Sequence, residues 1–177
     1  MTTSEQEKIL QAITMAIEME LDGKECYLTA SKASTNEAGR KLLQSLAEEE
    51  DGHRRTFEEI YNSIRKGRGW PSIDLNADMA RDIRDTLVKT CQALGVNISG
   101  TSGELDAVKI AVDKEKRSYD FYENQSRNAA YETERQFYKT LAREEREHEL
   151  ALLDYYDYLA DPAGWFAKAE HPSLDGG

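Results

Sequence analysis

The stretch Leu46-Ala47-Glu48-Glu49-Glu50-Asp51-Gly52-His53 decides the fold, because a second copy stands ninety-five residues further on: Leu141-Ala142-Arg143-Glu144-Glu145-Arg146-Glu147-His148. Both copies hold Glu-x-x-His in the same register behind Leu-Ala. A spacing of three places Glu50 beside His53, and Glu145 beside His148, on one face of a helix. That face is the apolar one. Leu43, Leu46, Phe57 and Ile64 share it in the first copy, and Tyr138, Leu141, Leu152 and Leu159 in the second. A carboxylate and an imidazole among core positions need a partner, since an unpaired buried charge is costly or is neutralised by a pKa shift. A metal ion suits both ligand types at once.

Outward from the first copy, the preceding helix is expected to start at Ser4, where Ser4-Glu5-Gln6-Glu7 has the form of a capping box. Its apolar stripe runs through Ile9, Ile13, Ala16, Ile17, Gly23 and Tyr27, and Glu20 falls inside it. Ser34-Thr35-Asn36 reads as a turn and a new N-cap, so two helices occupy residues 4–66. Residues 67–103 form a long crossover broken by Trp70-Pro71, with room for a short helix between Ala77 and Leu94. Thr101-Ser102-Gly103-Glu104 is a second capping box, opening two further helices over 104–160 that end at Asp161-Pro162. The third helix carries Val108, Ala111, Val112, Ser118, Tyr119 and Tyr122 on one face, with Glu115 among them. Residues 161–177, with Trp165 and Phe166, are expected to lie over the bundle as a tail in which His171 is a surface residue. The whole chain, 1–177, then forms one domain.

The third helix aligns with the first, without a gap, at the same offset that relates the two Glu-x-x-His copies. Glu20 pairs with Glu115, Tyr27 with Tyr122 and Ala16 with Ala111. An unbroken offset across both hairpins implies two αα-hairpins related by a pseudo-two-fold axis, hence an all-α four-helix bundle. Such an axis gathers Glu20, Glu50, His53, Glu115, Glu145 and His148 at mid-bundle. One Glu from each of two helices and Glu-x-x-His from each of the others is the ligand set of di-metal carboxylate bundles. Four carboxylates also balance two divalent ions. A lone Glu-x-x-His in a Glu-rich helix would be only a solvated charge pair; two in register, each matched by an inward Glu, are not.

Composition narrows the rest. Charged residues are 32% and hydrophobic ones 39%, with only 3 Pro, the profile of long amphipathic helices. The 34 acidic residues outnumber the 23 Lys and Arg, giving a formal charge of -11. That balance argues against nucleic acid and anionic membranes and would draw in cations. No apolar run reaches transmembrane length, no signal peptide is legible, and Cys26 and Cys91 supply no Cys-x-x-Cys, so a reducing cytoplasm is expected.

On Ala16-Ile17-Glu18-Met19-Glu20 with Tyr27, on Leu46 to His53, and on their counterparts in the second half, the chain resembles the rubrerythrin-like branch of the ferritin-like superfamily. The resemblance extends over residues 5 to 160. It implies a non-haem di-iron centre, with Glu50 and Glu145 bridging, Glu20 and Glu115 terminal, and His53 and His148 giving one nitrogen each. Mixed oxygen and nitrogen ligands suit iron or manganese. Tyr27 and Tyr122 lie two turns from the terminal glutamates and read equally as hydrogen-bond donors to them or as ordinary core tyrosines. The activity implied is reduction of hydrogen peroxide in the cytoplasm, with electrons from a separate donor such as rubredoxin, in a homodimer. A ferroxidase that oxidises ferrous iron with dioxygen or peroxide is the second reading, and a helical interaction module with a structural metal the third. The chain departs from the family pattern twice. It lacks the two Cys-x-x-Cys pairs of a rubredoxin-type iron site, and Ser118 stands where an additional carboxylate follows the third-helix ligand.

Overall fold

The computed structural model describes residues 3–73, 79–98 and 100–170. Among them are six helices and no strand: α1 (Thr3–Ala33), α2 (Glu37–Arg65), α3 (Met79–Leu94), α4 (Ser102–Asn128), α5 (Glu132–Ala160) and α6 (Pro162–Glu170). The helical bundle expected from the repeat is therefore present. α1 packs along α2 and α4 along α5 as two long hairpins, and α1 and α4 meet across the middle. The expected helix in the crossover is α3, which lies against both α2 and α5. Its expected start at Ala77, and the tail residue His171, lie outside the described residues. No helix among the described residues is long and apolar enough to cross a membrane.

Local chemistry explains the helix ends. Asn36 caps α2 by accepting the Gly39 N–H at 2.9 Å, and Thr101 caps α4 by accepting the Glu104 N–H at 3.2 Å. α2 stops where Gly67 turns left-handed at φ 72°, a conformation that spares it the Cβ penalty. Two expectations at helix starts need correction. α1 already runs from Thr3, so Ser4 sits inside the first turn instead of capping it. Glu104 does not close a capping box with Thr101. Its buried carboxylate instead accepts from Tyr155, Ser34 and Thr35 at 2.8 to 2.9 Å, which ties the start of α4 to the α1–α2 turn and to α5.

Two apolar clusters fill the bundle, one toward each end. One contains Tyr27, Leu43, Leu46, Ala47, Val108, Ala111, Leu152 and Leu159; the other contains Tyr122, Tyr138, Leu141, Ala142, Ile13, Ala16, Phe57 and Ile64. Each residue in the first set is the counterpart, ninety-five positions away, of the residue in the same place in the second. The pseudo-two-fold thus exchanges the clusters, and the carboxylates and histidines lie between them. α6 closes one end by burying Trp165 against Tyr158, with ring centroids 5.3 Å apart.

Candidate metal centre

Glu20 comes from α1, Glu50 and His53 from α2, Glu115 from α4, and Glu145 and His148 from α5; all six are buried. They meet as two overlapping groups. Glu20, Glu50, His53 and Glu145 bring one oxygen or nitrogen each to within 4.8 Å of one another, and so do Glu50, Glu115, Glu145 and His148. Glu50 and Glu145 belong to both groups. The two histidine rings lie parallel between them, centroids 6.0 Å apart and planes 19° from each other.

The two nitrogens of each ring have different tasks. His53 Nδ1 faces Glu20 and Glu145 oxygens at 3.4 and 3.5 Å, while its Nε2 lies 2.9 Å from Glu144. His148 repeats this, with Nδ1 3.5 Å from Glu50 and 3.7 Å from Glu115, and Nε2 2.6 Å from Glu49. Each inner nitrogen is left without a hydrogen bond. So is one carboxylate oxygen of each of Glu20, Glu50, Glu115 and Glu145. Six residues therefore each turn one buried, unpartnered polar atom toward the same interior. Buried polar atoms are rarely left so, because each costs its full desolvation. Hard oxygen donors with two imidazoles fit a pair of divalent transition metals, with Nδ1 as the histidine ligand and the Nε2–H donated to Glu144 or Glu49.

Electrostatics agrees with that fit. Burial, then the Glu50 carboxylate, pushes Glu20 up to about 8. Burial, then Glu115, pushes Glu145 well above the ordinary carboxylate range. Burial alone would lower both histidines, yet the carboxylates around them outweigh it and raise both. Glu20, Glu145 and the two histidines therefore hold their protons to higher pH than free side chains do, and bound divalent cations would displace them.

The tyrosines are not equivalent. Tyr122 donates to Glu20 across the bundle, whereas the buried Tyr27 hydroxyl makes no hydrogen bond. Glu49 and Glu144 went unremarked in the sequence, although the repeat places a glutamate directly before both Glu-x-x-His motifs. A cavity of about 370 Å³ opens onto the cluster between α1 and α4, reaching Glu50 and Glu115 past Gly23 and Ser118. Lys114 pairs with the exposed Asp22 in its wall. Ser118, three residues beyond Glu115, thus lines the approach to the cluster, where a longer acidic side chain would project into it.

A family model described as Rubrerythrin matches residues 11–156. No curated protein and no solved structure gives a match.

Proposed function

The chain belongs to the rubrerythrin family, and on that premise we propose that it is a di-iron oxidoreductase that reduces hydrogen peroxide to water in the cytoplasm. The observation that carries this reading is the set of six unpartnered atoms, one each from Glu20, Glu50, His53, Glu115, Glu145 and His148. With metals bound, Glu50 and Glu145, which belong to both groups, would serve both ions, Glu20 and Glu115 would each serve one, and His53 and His148 would offer Nδ1. Iron bound there would supply two one-electron equivalents side by side, enough to cleave an O–O bond in one two-electron event. Manganese fits the same donors.

The chain's own residues do the remaining work. Glu144 and Glu49 hold the two imidazoles by their outer nitrogens and so fix which nitrogen faces inward. Tyr122 fixes the rotamer of Glu20. The two apolar clusters exclude water above and below the site, and the cavity past Gly23 and Ser118 offers an approach for a molecule the size of peroxide. That approach favours chemistry over a purely structural metal, whose site would be closed. The proposed reduction draws on a separate one-electron donor, of which rubredoxin is the type. A homodimer completes the reading.

The test is anaerobic loading with two ferrous ions per chain, followed by stopped-flow absorbance on mixing with peroxide or with dioxygen. Faster oxidation by peroxide is expected. Faster oxidation by dioxygen, with continued consumption of added ferrous iron, would replace this reading with a ferroxidase.

A further inference from the structure

Among the described residues, a chain of oxidisable aromatic rings runs from the carboxylate cluster to the protein surface on one side only. Tyr122, hydrogen-bonded to Glu20, stacks on Tyr138 with centroids 6.0 Å apart and planes 22° from parallel. Tyr138 meets Trp70 at 5.8 Å. Trp70 is partly exposed and lines a surface groove of about 330 Å³ with Glu132, Gln136 and Thr140. Phe57 and Phe137 pack around these rings and fill the gaps between them.

The repeat supplies an internal control. Trp165 is the counterpart of Trp70, and Tyr27 that of Tyr122, but Leu43 stands in place of Tyr138 and Leu152 in place of Phe57. Among the described residues Tyr27 makes no ring contact, and the aromatic rings that Trp165 meets are those of Tyr158 and Phe166. One half of the molecule is therefore connected from cluster to surface, and the other is interrupted by aliphatic side chains. Packing does not explain a phenol at position 138. Its hydroxyl is buried without a hydrogen-bond partner, a cost that phenylalanine would avoid.

We propose that Trp70, Tyr138 and Tyr122 form an electron relay that supplies the metal centre from the surface when the metals hold too few electrons for the oxidant. The proposal rests on the peroxidase reading above. Reduction of one hydrogen peroxide to two waters takes two electrons and two protons. Where the metal pair can give only one electron, Tyr122 yields the second and is refilled from Trp70 through the ring of Tyr138, which passes the charge on and keeps its own proton because no acceptor faces it. The phenolic proton of Tyr122 shifts to Glu20 and returns as the ring is refilled. Trp70 ends as a neutral radical whose indole proton has gone to solvent, and a one-electron reductant in the surface groove, such as ascorbate or a thiolate, restores it. Electron tunnelling falls exponentially with distance, so three rings in near contact carry a charge that the Leu43 side cannot.

The experiment mixes peroxide with iron-loaded protein carrying one reducing equivalent per site, without added reductant. Electron paramagnetic resonance of freeze-quenched samples and peptide mass spectrometry are the readouts. We expect an organic radical and oxygen adducts on Trp70, none on Trp165, and loss of the adduct when ascorbate is present. Tyr138→Phe keeps the shape of the ring and should abolish the Trp70 adduct, leaving the radical on Tyr122. Trp70→Phe should likewise leave the radical on Tyr122. Equal oxidation of Trp70 in Tyr138→Phe or in metal-free protein would overturn the relay. Iron absorbance in the same samples separates the two levels. Iron oxidised with Trp70 intact overturns the relay alone; iron that peroxide leaves unchanged overturns the peroxidase reading and the relay with it.

Discussion

The outer nitrogen of His148 lies 2.6 Å from a carboxylate oxygen of Glu49, a residue of the opposite hairpin whose immediate neighbour, Glu50, faces the inner nitrogen of the same ring. Consecutive glutamates on α2 thus grip one imidazole from both sides, and Glu144 and Glu145 do the same to His53. Such outer partners orient a ligating histidine and raise its basicity, and their loss typically lowers metal affinity about 10–100-fold. Glu49→Gln and Glu144→Gln should each weaken metal binding by that order, and by similar amounts, because the two pairs are related by the repeat. Competition with a chelator measures it. Affinity unchanged in both variants would mean that the outer carboxylates do not orient the rings.

The metal-free protein should lose stability as pH rises. Glu20, moved from an ordinary value of 4.5 to about 8 by burial and by Glu50, holds a proton in the folded state that the unfolded chain gives up. A raised pKa contributes stability that is complete below the unfolded value and is lost as pH climbs through the folded one. Glu145, His53 and His148 are all raised and act in the same direction. Glu104 acts oppositely but elsewhere. Burial would raise it, yet hydrogen bonds from Tyr155, Thr35 and Ser34 hold it below 4.5, so its contribution fades only in acid. Thermal unfolding in the presence of chelator should show a melting temperature that falls between pH 4.5 and about 8. Bound divalent metal should flatten the curve, because it replaces the protons. A flat or rising curve for the metal-free protein would contradict the protonated cluster.

What the sequence made legible and what it concealed both follow from the pseudo-two-fold. Glu20, Glu50, His53 and their counterparts could be read because a polar residue in an apolar stripe is anomalous, and the anomaly occurs twice at one offset. The bundle itself follows from the same periodicity. Where the halves differ, that logic is silent. Glu104 and Tyr155 hydrogen-bond where their counterparts Ile9 and Ile60 sit in an apolar cluster, so this polar buttress exists at one end only. The inequality of Tyr27 and Tyr122 was hidden in the same way, since identical residues in identical register differ only in the side chains around them. Partners reached across the bundle, such as Glu49 with His148, depend on packing between helices that periodicity along one helix does not specify.

The buttress explains a glycine. A Cβ on Gly39 would run into the hydroxyl of Tyr155 and that of Ser34. Both hydroxyls lie within hydrogen-bonding reach of Glu104, at 2.8 and 2.9 Å. In an open helix, alanine for glycine gains roughly 1 kcal/mol. Here it must displace a fully buried tyrosine, and overpacking of that kind costs about 1–3 kcal/mol. Gly39→Ala should therefore destabilise the protein, seen as a lower urea midpoint with an unchanged slope. Gly52→Ala, where a Cβ meets nothing, should be neutral or stabilising. A stabilised Gly39→Ala would show that the Tyr155–Glu104 contact is dispensable.

The two tyrosines beside the cluster should separate in the same assay. Tyr122 donates its hydroxyl to Glu20, so Tyr122→Phe removes a buried hydrogen bond and leaves that oxygen without a donor. The net loss for a hydrogen bond of this kind is about 1 kcal/mol. Tyr27 is equally buried, but its hydroxyl has no partner. Tyr27→Phe then discards a polar group that was desolvated without compensation, and should leave the metal-free protein as stable as before or more so. Urea denaturation of both variants, with chelator and at one pH, makes the comparison. Equal losses in the two would mean that Tyr27 also finds a partner and that the halves are more symmetric than their side-chain contacts. A loss confined to Tyr122→Phe would show that Glu20 is held from outside the cluster, whereas Tyr27 holds no carboxylate in the other half.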